Sequence, residues 1–179
     1  DALAPVGTRT FAMHFMEAKL GPRVSPEAKA SWLADLARAA TDRGAVVVLE
    51  NVDERPADLR PALDAAPTLR FCLDVGHAHL DRREDGARAY LEALGNRLGL
   101  VHAHDNHGGH GKPGDEHLPF GKGTIDLERD VRALRASGYD GPATVEIFKG
   151  TADDKRACLR KMRRWSREGP DEDARTSPL

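Results

Sequence analysis

The chain has little cysteine, few aromatic residues and no long apolar run. Two cysteines among 179 residues do not make the disulfide framework of a small secreted protein, so we expect a cytoplasmic protein. No stretch approaches the roughly 18 consecutive apolar residues of a transmembrane helix, and no membrane partner is expected. The formal net charge of -2 gives no overall attraction to nucleic acid. These features favour neither nucleic acid nor a membrane as a partner.

The remaining composition is that of a globular protein. Hydrophobic residues make up 40% of the chain and charged residues 31%, and 179 residues are enough for one domain with a sizeable core. We predict a single domain over residues 1–168, followed by a polar C-terminal tail at residues 169–179.

Short apolar runs alternate with helix-like segments along the chain. The runs have the β-branched or alternating character of strands and fall at 10–15, 45–49, 69–73, 98–103 and 143–145. The segments between and after them have the caps and apolar spacing of helices, at 25–44, 56–66, 87–98, 126–138 and 152–165. This alternation, with a strand roughly every 25 to 40 residues, predicts parallel strands joined by right-handed crossovers.

Two of the predicted helices have apolar faces that we expect to pack against the core. In the first helix this face consists of Trp32, Leu33, Leu36 and Ala40. In the last helix it consists of Cys158, Leu159, Met162 and Trp165.

Each predicted strand ends on a side chain that can bind a metal. These side chains are His14, Glu50, Asp74, His102 and Glu146. In parallel α/β folds, ligands bind at the carboxyl ends of the strands. Core packing does not explain the pattern, because buried carboxylates need partners or metals. We therefore predict a functional site at this edge of the sheet.

The stretch from Val101 to Gly123 holds five of the eight histidines. It is also rich in glycine and includes acidic residues, so one hypothesis is a divalent-metal site. The alternative is a solvated His-rich loop, and the stretch alone does not decide between the two.

The chain shows only five strand–helix units, whereas a (β/α)8 barrel has eight in about 250 residues. The sequence therefore predicts either an open sheet of five strands or a barrel that lacks about three N-terminal units.

Five motifs together resemble the xylose isomerase-like TIM-barrel superfamily, which includes sugar phosphate isomerases/epimerases and endonuclease IV-type enzymes. They are VVVLEN ending beyond Glu50, LDVGH with Asp74 and His77, HAHDN at 102–106, DEHLPFGKGTID at 115–126, and TVEIF with Glu146. The order and spacing match the family from its fourth strand to its eighth. The resemblance implies an α/β fold of the (β/α)8 TIM-barrel type, incomplete here at about five β/α units.

The resemblance also implies a set of metal ligands. The family's shared metal site falls on Glu50, Asp74, His102 and Glu146. His102 is preferred to His104 because the family's ligand histidine stands three residues before an acid, here Asp105; His104 remains the alternative. Family members with several metals have a second ligand group, which matches His14, His77, Asp115 and His117.

Mixed carboxylate and imidazole ligands favour Mn, Zn, Co or Mg. Such an ion can bind adjacent carbonyl and hydroxyl oxygens of a sugar and stabilise the enediolate formed when the proton alpha to the carbonyl is removed. Glu50 and Glu146 are the predicted acid/base pair as well as ligands. His77 is predicted to polarise a substrate oxygen or to hold a second ion. The preferred function, as the resemblance implies, is therefore a divalent-metal-dependent sugar or sugar phosphate isomerase/epimerase, whose partner is a small-molecule sugar substrate.

Two alternatives use the same residues differently. An endonuclease IV-like enzyme would hydrolyse a phosphodiester at an abasic DNA site with a metal cluster. It is less favoured because DNA binding relies on phosphate neutralisation, and the ligand-bearing loops offer little beyond Lys112, Lys122 and Lys149. In the other alternative the chain is an inactive barrel fragment, or a half-barrel that needs association, for example as a homo-oligomer, because its open sheet edges invite pairing.

Overall fold

A computed structural model describes residues 9–15, 26–82 and 86–167. Five parallel strands form one curled sheet, a half-barrel with the strands in chain order. The strands are β1 (Thr10–His14), β2 (Val46–Glu50), β3 (Arg70–Asp74), β4 (Leu98–Ala103) and β5 (Ala143–Val145). The predicted α/β fold of an incomplete TIM barrel is confirmed. The tail at 169–179 and the residue before the first helix, Ser25, lie outside the described residues.

Helices connect the strands and follow the last one. They are α1 (Pro26–Thr41), α2 (Pro56–Ala65), α3 (Val75–His79), α4 (Gly86–Leu94), α5 (Gly111–Gly114), α6 (Leu127–Ala136) and α7 (Ala152–Arg167). Short 3-10 turns at Leu80–Arg82 and Gly95–Arg97 complete the connections. Among the described residues, no helix has the length and apolar character needed to cross a bilayer.

The two faces of the sheet differ in what they bury. The helix-covered face holds the main core, where Leu49, Phe71 and Leu73 are completely buried and Phe71 stacks on Tyr90 of α4. The opposite face has a small apolar group of Val48, Cys72 and Leu100. Side chains alternate between the faces of a strand, so the residues two positions beyond this group, including Glu50, lie on the same inner face.

The register of the paired strands aligns their carboxyl ends along one edge of the sheet. His14 pairs with Glu50 across β1 and β2, and Asp74 pairs with His102 across β3 and β4. The backbone N–H of Glu146 donates to the carbonyl of Ala103, which continues the β4–β5 ladder one residue beyond β5.

Two core predictions are wrong. Trp32 is 51% exposed and Leu159 is 45% exposed. In α7, Cys158 and Trp165 fall on one helical stripe and are buried, whereas Leu159 is rotated by about 100° from Cys158. In α1, Trp32 is likewise rotated by about 100° around the helix axis from Leu33, which is buried.

Candidate metal centre

Four side chains from four successive strands meet at the carboxyl edge of the sheet. One ligand atom from each lies within 4.8 Å of the others. His102 Nδ1 lies 3.0 Å from Glu50 Oε1 and 3.5 Å from Glu146 Oε2. This group is called the carboxylate cluster and consists of Glu50, Asp74, His102 and Glu146. The four residues are those predicted for the shared metal site.

The chemistry of the carboxylate cluster fits a divalent cation. Glu50, Asp74 and His102 are buried, and Glu146 is partly buried. Asp74 Oδ2 has no hydrogen-bond partner among the residues that the structure describes. Carboxylates buried this closely together are costly unless a cation or hydrogen bonds compensate them. A metal bound by three carboxylates and one imidazole would supply that compensation.

Imidazoles next to Glu50 change its ionisation in the metal-free chain. Burial raises the pKa of the Glu50 carboxyl, but hydrogen bonds with His102 and His14 outweigh burial and the net pKa is lowered. Burial lowers the pKa of His102, but the hydrogen bond with Glu50 and the negative charges of Glu50, Glu146 and Asp74 together outweigh burial and raise the pKa. Metal binding must displace the imidazole proton, so ion affinity should fall as the solution is acidified.

A second group of side chains lies next to the first. It is called the imidazole cluster and consists of His77, His104, Asp115 and His117. His77 follows β3 on α3, His104 follows β4, and Asp115 and His117 come from the loop after α5. Their ligand atoms also lie within 4.8 Å of one another.

The structure brings together three of the four residues predicted for the second group. His14 instead lies beside Glu50, with its Nε2 3.4 Å from Glu50 Oε2 and its side chain 55% exposed. His102 and His104, which the sequence analysis treated as alternatives for one position, belong to different clusters. The membership of His104 was missed because its spacing from His102 shows only that both face the same side of β4.

A buried aspartate holds the loop that carries Asp115 and His117. The carboxylate of Asp105 accepts hydrogen bonds from the backbone N–H groups of Asn106, Gly121, Gly123 and Ile125, at 2.8 to 3.2 Å. Backbone bonds between Asp105 and Leu118 run in both directions. The sequence analysis used Asp105 only to choose a ligand and missed this role.

We expect the metal-free chain to lose stability as the pH rises from about 7 to 10. Burial lowers the pKa of His77, but Asp115 and Asp74 outweigh burial and raise the pKa from 6.5 to about 10. Because the folded pKa lies above the ordinary value, the stabilisation is fully present below about 6.5 and is lost as the pH rises through 10. The urea midpoint in EDTA should fall over this range.

The variant His77→Gln provides the control for this titration. It should reduce the dependence of the urea midpoint on pH between 7 and 10, because the side chain whose pKa is raised to about 10 is absent. A wild-type midpoint that rises over that range would contradict the assignment.

The curled five-stranded sheet, with two clusters of acidic and histidine side chains at the carboxyl ends of its strands, is typical of a TIM-barrel class of protein. The family model described as xylose isomerase-like TIM barrel matches residues 3–169, and the chain belongs to this family. Among curated relatives, the L-ribulose-5-phosphate 3-epimerase UlaE of Escherichia coli (strain K12 / DH10B) is 33% identical over 100 residues. That match covers 55% of this chain and 33% of the relative, so the chain matches about a third of the curated relatives' length.

Solved structures share the fold. A D-tagatose 3-epimerase-like protein superposes with a TM-score of 0.72 at 24% identity, covering 91% of this chain and 64% of that one. A Thermus thermophilus protein, from a structure described as soaked with ZnCl2, superposes with a TM-score of 0.67 at 25% identity, covering 93% and 65%. The chain thus spans less than two thirds of both structures.

Proposed function

We propose that this chain is a divalent-metal-dependent sugar or sugar phosphate isomerase/epimerase that removes a proton alpha to a carbonyl. One observation carries the proposal: two glutamates, Glu50 and Glu146, flank Asp74 and His102 in a buried cluster whose ligand atoms lie within 4.8 Å. The glutamates come from the ends of β2 and β5, with β3 and β4 between them. The relatives named as sugar epimerases support the same reaction class.

The carboxylate cluster would hold the ion. A divalent ion such as Mn, Co, Mg or Zn would supply Lewis acidity toward adjacent carbonyl and hydroxyl oxygens of the sugar and offset the negative charge that develops on them. We assign the ligand positions to Glu50, Asp74, His102 and Glu146.

The two glutamates transfer the proton. One carboxylate takes the proton from the carbon next to the carbonyl, and the electron pair of that C–H bond forms the C=C bond of an enediolate. The other glutamate, which enters the step protonated, gives its proton to the opposite face of the same carbon; the C=C electron pair forms the new C–H bond as the carbonyl re-forms, and the carbon is inverted. The lowered pKa of Glu50 keeps its carboxylate ionised near neutral pH, so this residue begins the step without a proton.

His77 is assigned to an ion rather than to the substrate. Its Nδ1 lies 2.9 Å from the Asn51 carbonyl, and its Nε2 faces Asp115 Oδ1 at 3.4 Å. The ring is buried and both nitrogens face protein atoms. Of the two roles predicted for His77, this placement supports metal binding.

Solvent deuterium exchange tests the proposed reaction. The chain is incubated in D2O with MnCl2 and a panel of ketoses, with and without a terminal phosphate, and deuterium at carbon 3 is followed by NMR. We expect exchange that EDTA lowers by at least about 10²-fold and that added Mn²⁺ restores, because the ion supplies several kcal/mol of charge stabilisation. The absence of exchange into every sugar of the panel in the presence of metal would overturn the proposal.

The imidazole cluster favours a second candidate, an endonuclease IV-like phosphodiester hydrolase. Its four side chains lie next to the carboxylate cluster, and such an arrangement would offer ligands for more than one ion. A labelled duplex with one abasic site, incubated with the metal-loaded chain, distinguishes the two. Cleavage at the abasic site without sugar exchange would favour the hydrolase.

The half-barrel arrangement is relevant to the alternative in which the chain is an inactive barrel fragment or needs association. Strands β1 and β5 are the two edges of the described sheet. Sedimentation of the metal-loaded chain tests association directly. A monomer that gains no thermal stability from Mn²⁺ or Zn²⁺ would indicate an inactive fragment.

A further inference from the structure

The helix α3, which carries His77, is too short to set its own direction. It has five residues, whereas isolated helices become marginally stable only at about 12 to 15 residues. Contacts with neighbouring elements must therefore orient it. Two asparagines that are 0% exposed supply polar contacts from the strands on either side of β3: Asn51 follows β2 and Asn106 follows β4.

The side chain of Asn51 continues the pairing of β2 with β3. The backbone register of these strands ends at Glu50 and Cys72. Two residues further along β3, Asn51 Nδ2 donates to the Asp74 carbonyl at 3.0 Å, and Asn51 Oδ1 accepts from the Asp74 N–H at 2.9 Å. A side-chain amide offers the same kinds of donor and acceptor as a peptide group. Asn51 therefore gives the backbone of Asp74 its partners after strand β2 has ended.

The position of the Asp74 backbone determines how its carboxylate is used. Asp74 Oδ1 accepts from the backbone N–H of His77 at 2.8 Å and caps the start of α3. Asp74 Oδ2 is buried and has no hydrogen-bond partner among the residues that the structure describes. By holding the backbone on both its N–H and its carbonyl, Asn51 fixes which oxygen caps the helix and which one remains available.

The main chain of Asn51 holds the ring of His77. Its carbonyl accepts from His77 Nδ1 at 2.9 Å, and a carbonyl oxygen only accepts, so Nδ1 carries a hydrogen. This contact turns the ring so that Nε2 lies 3.4 Å from Asp115 Oδ1. A single residue thus contacts Asp74 through its side chain and His77 through its main chain.

Asn106 holds the same helix from the side of β4. Its Nδ2 donates to the carbonyl of Gly76 at 2.8 Å, and its Oδ1 accepts from the backbone N–H of Gly108 at 2.9 Å. These bonds join the backbone of α3 to the loop after β4. Asn51 differs from Asn106 because it contacts Asp74 and the His77 ring themselves.

We infer that Asn51 is a positioning residue that holds Asp74 and His77 in one fixed arrangement next to Glu50, its neighbour in the chain. Asn51 is 0% exposed and both polar atoms of its side chain are hydrogen-bonded, so it acts through the residues that it holds. The expected effect on sugar exchange rests on the proposed function. The expected effect on the His77 ring does not.

NMR of the EDTA-treated chain with isotope-labelled histidine tests the inference. The His77 ring is identified by the signals that His77→Gln removes, and we expect a wild-type Nδ1–H that is protected from solvent. Asn51→Leu keeps a branched side chain of similar shape but removes the donor and the acceptor. It should shift the His77 ring signals and speed the exchange of this Nδ1–H by about 10-fold, the effect of losing roughly one hydrogen bond.

Metal affinity gives a second readout. Titration with MnCl2, followed by electron paramagnetic resonance of the free ion, should show an affinity about 10- to 100-fold lower in Asn51→Leu, since removing a group that orients a metal ligand has an effect of this size. With a sugar that exchanges deuterium, the rate at saturating Mn²⁺ should fall by about 10²-fold, because a displacement of about 1 Å is enough for such a loss.

An exposed asparagine provides the matched control. Asn96→Leu makes the same substitution in the turn between α4 and β4 and should leave the His77 signals and the Mn²⁺ affinity unchanged. Circular dichroism reports whether each variant folds. If Asn51→Leu does not fold, Asn51→Ala decides, because its smaller side chain leaves room for water to bond the Asp74 backbone.

A folded Asn51 variant with the His77 signals and the Mn²⁺ affinity of the wild type would overturn the inference. The absence of sugar exchange in the wild type would count against the proposed function alone, because the ring signals are measured without metal or sugar.

Discussion

The variant Glu146→Gln is expected to keep its fold and to lose the proposed epimerase activity by about 10³-fold or more. Glutamine preserves the size and an oxygen ligand of Glu146, but its amide cannot exchange a proton with the sugar. A positioned acid/base group contributes about 10² to 10⁴ in rate. Glu146 lies at the edge of the sheet just after β5 and is partly buried, so the polar replacement should cost little stability. Product formation and solvent deuterium incorporation measure the loss.

A glutamate remote from the site provides the control. Glu92 pairs with Arg88 on the exposed face of α4, and Glu92→Gln should keep wild-type activity. Metal analysis of Glu146→Gln separates the loss of an acid/base group from the loss of an ion. If deuterium entered the sugar at the wild-type rate in this variant, the two-carboxylate mechanism would be wrong.

The variant Asp105→Ala is expected to destabilise the chain by about 4 kcal/mol. It leaves four backbone N–H groups without their acceptor, and each buried unsatisfied group costs about 1 to 3 kcal/mol before relaxation. Domains are stable by only about 5 to 15 kcal/mol, so this loss is a large fraction of the total. Urea denaturation of the metal-free protein measures it.

An exposed aspartate with a similar bonding pattern gives the comparison. Asp154 accepts hydrogen bonds from the backbone and hydroxyl of Thr151 at the start of α7. Because water can replace these bonds, Asp154→Ala should lower the urea midpoint much less than Asp105→Ala does. Equal losses in the two variants would show that Asp105 does not hold its loop through buried hydrogen bonds.

The ends of the strands could be predicted because the sequence patterns that identify them lie within a few neighbouring residues. The β-branched run before Glu50 and the apolar run before Asp74 identify buried parallel strands, whose carboxyl ends must share one edge. Resemblance to the family then selected the four residues that the structure brings together in the carboxylate cluster. Their role as metal ligands remains a proposal.

The parts that were missed depend on contacts through space. The helix α3 follows Asp74 directly and has only five residues. A segment this short does not show the apolar spacing that identifies a helix in the sequence. The contact between Gly76 and the His104 ring joins residues on different elements, and no spacing in the sequence indicates it. The hydrogen bonds of Asp105 likewise reach residues up to 20 positions away.

The order of the strands has a consequence for how the chain fluctuates. Strand β5 has only three residues, and Ala143 and Thr144 are exposed at the edge of the sheet. If the carboxylate cluster binds an ion as proposed, one ligand, Glu146, comes from the residue that follows β5, so the ion would stay bound only while that edge strand is docked. Metal binding would then oppose the local opening of β5, and the amide protons that β4 and β5 protect for each other would exchange more slowly with solvent. The same ion would thus link the four successive strands β2 to β5 at their carboxyl ends.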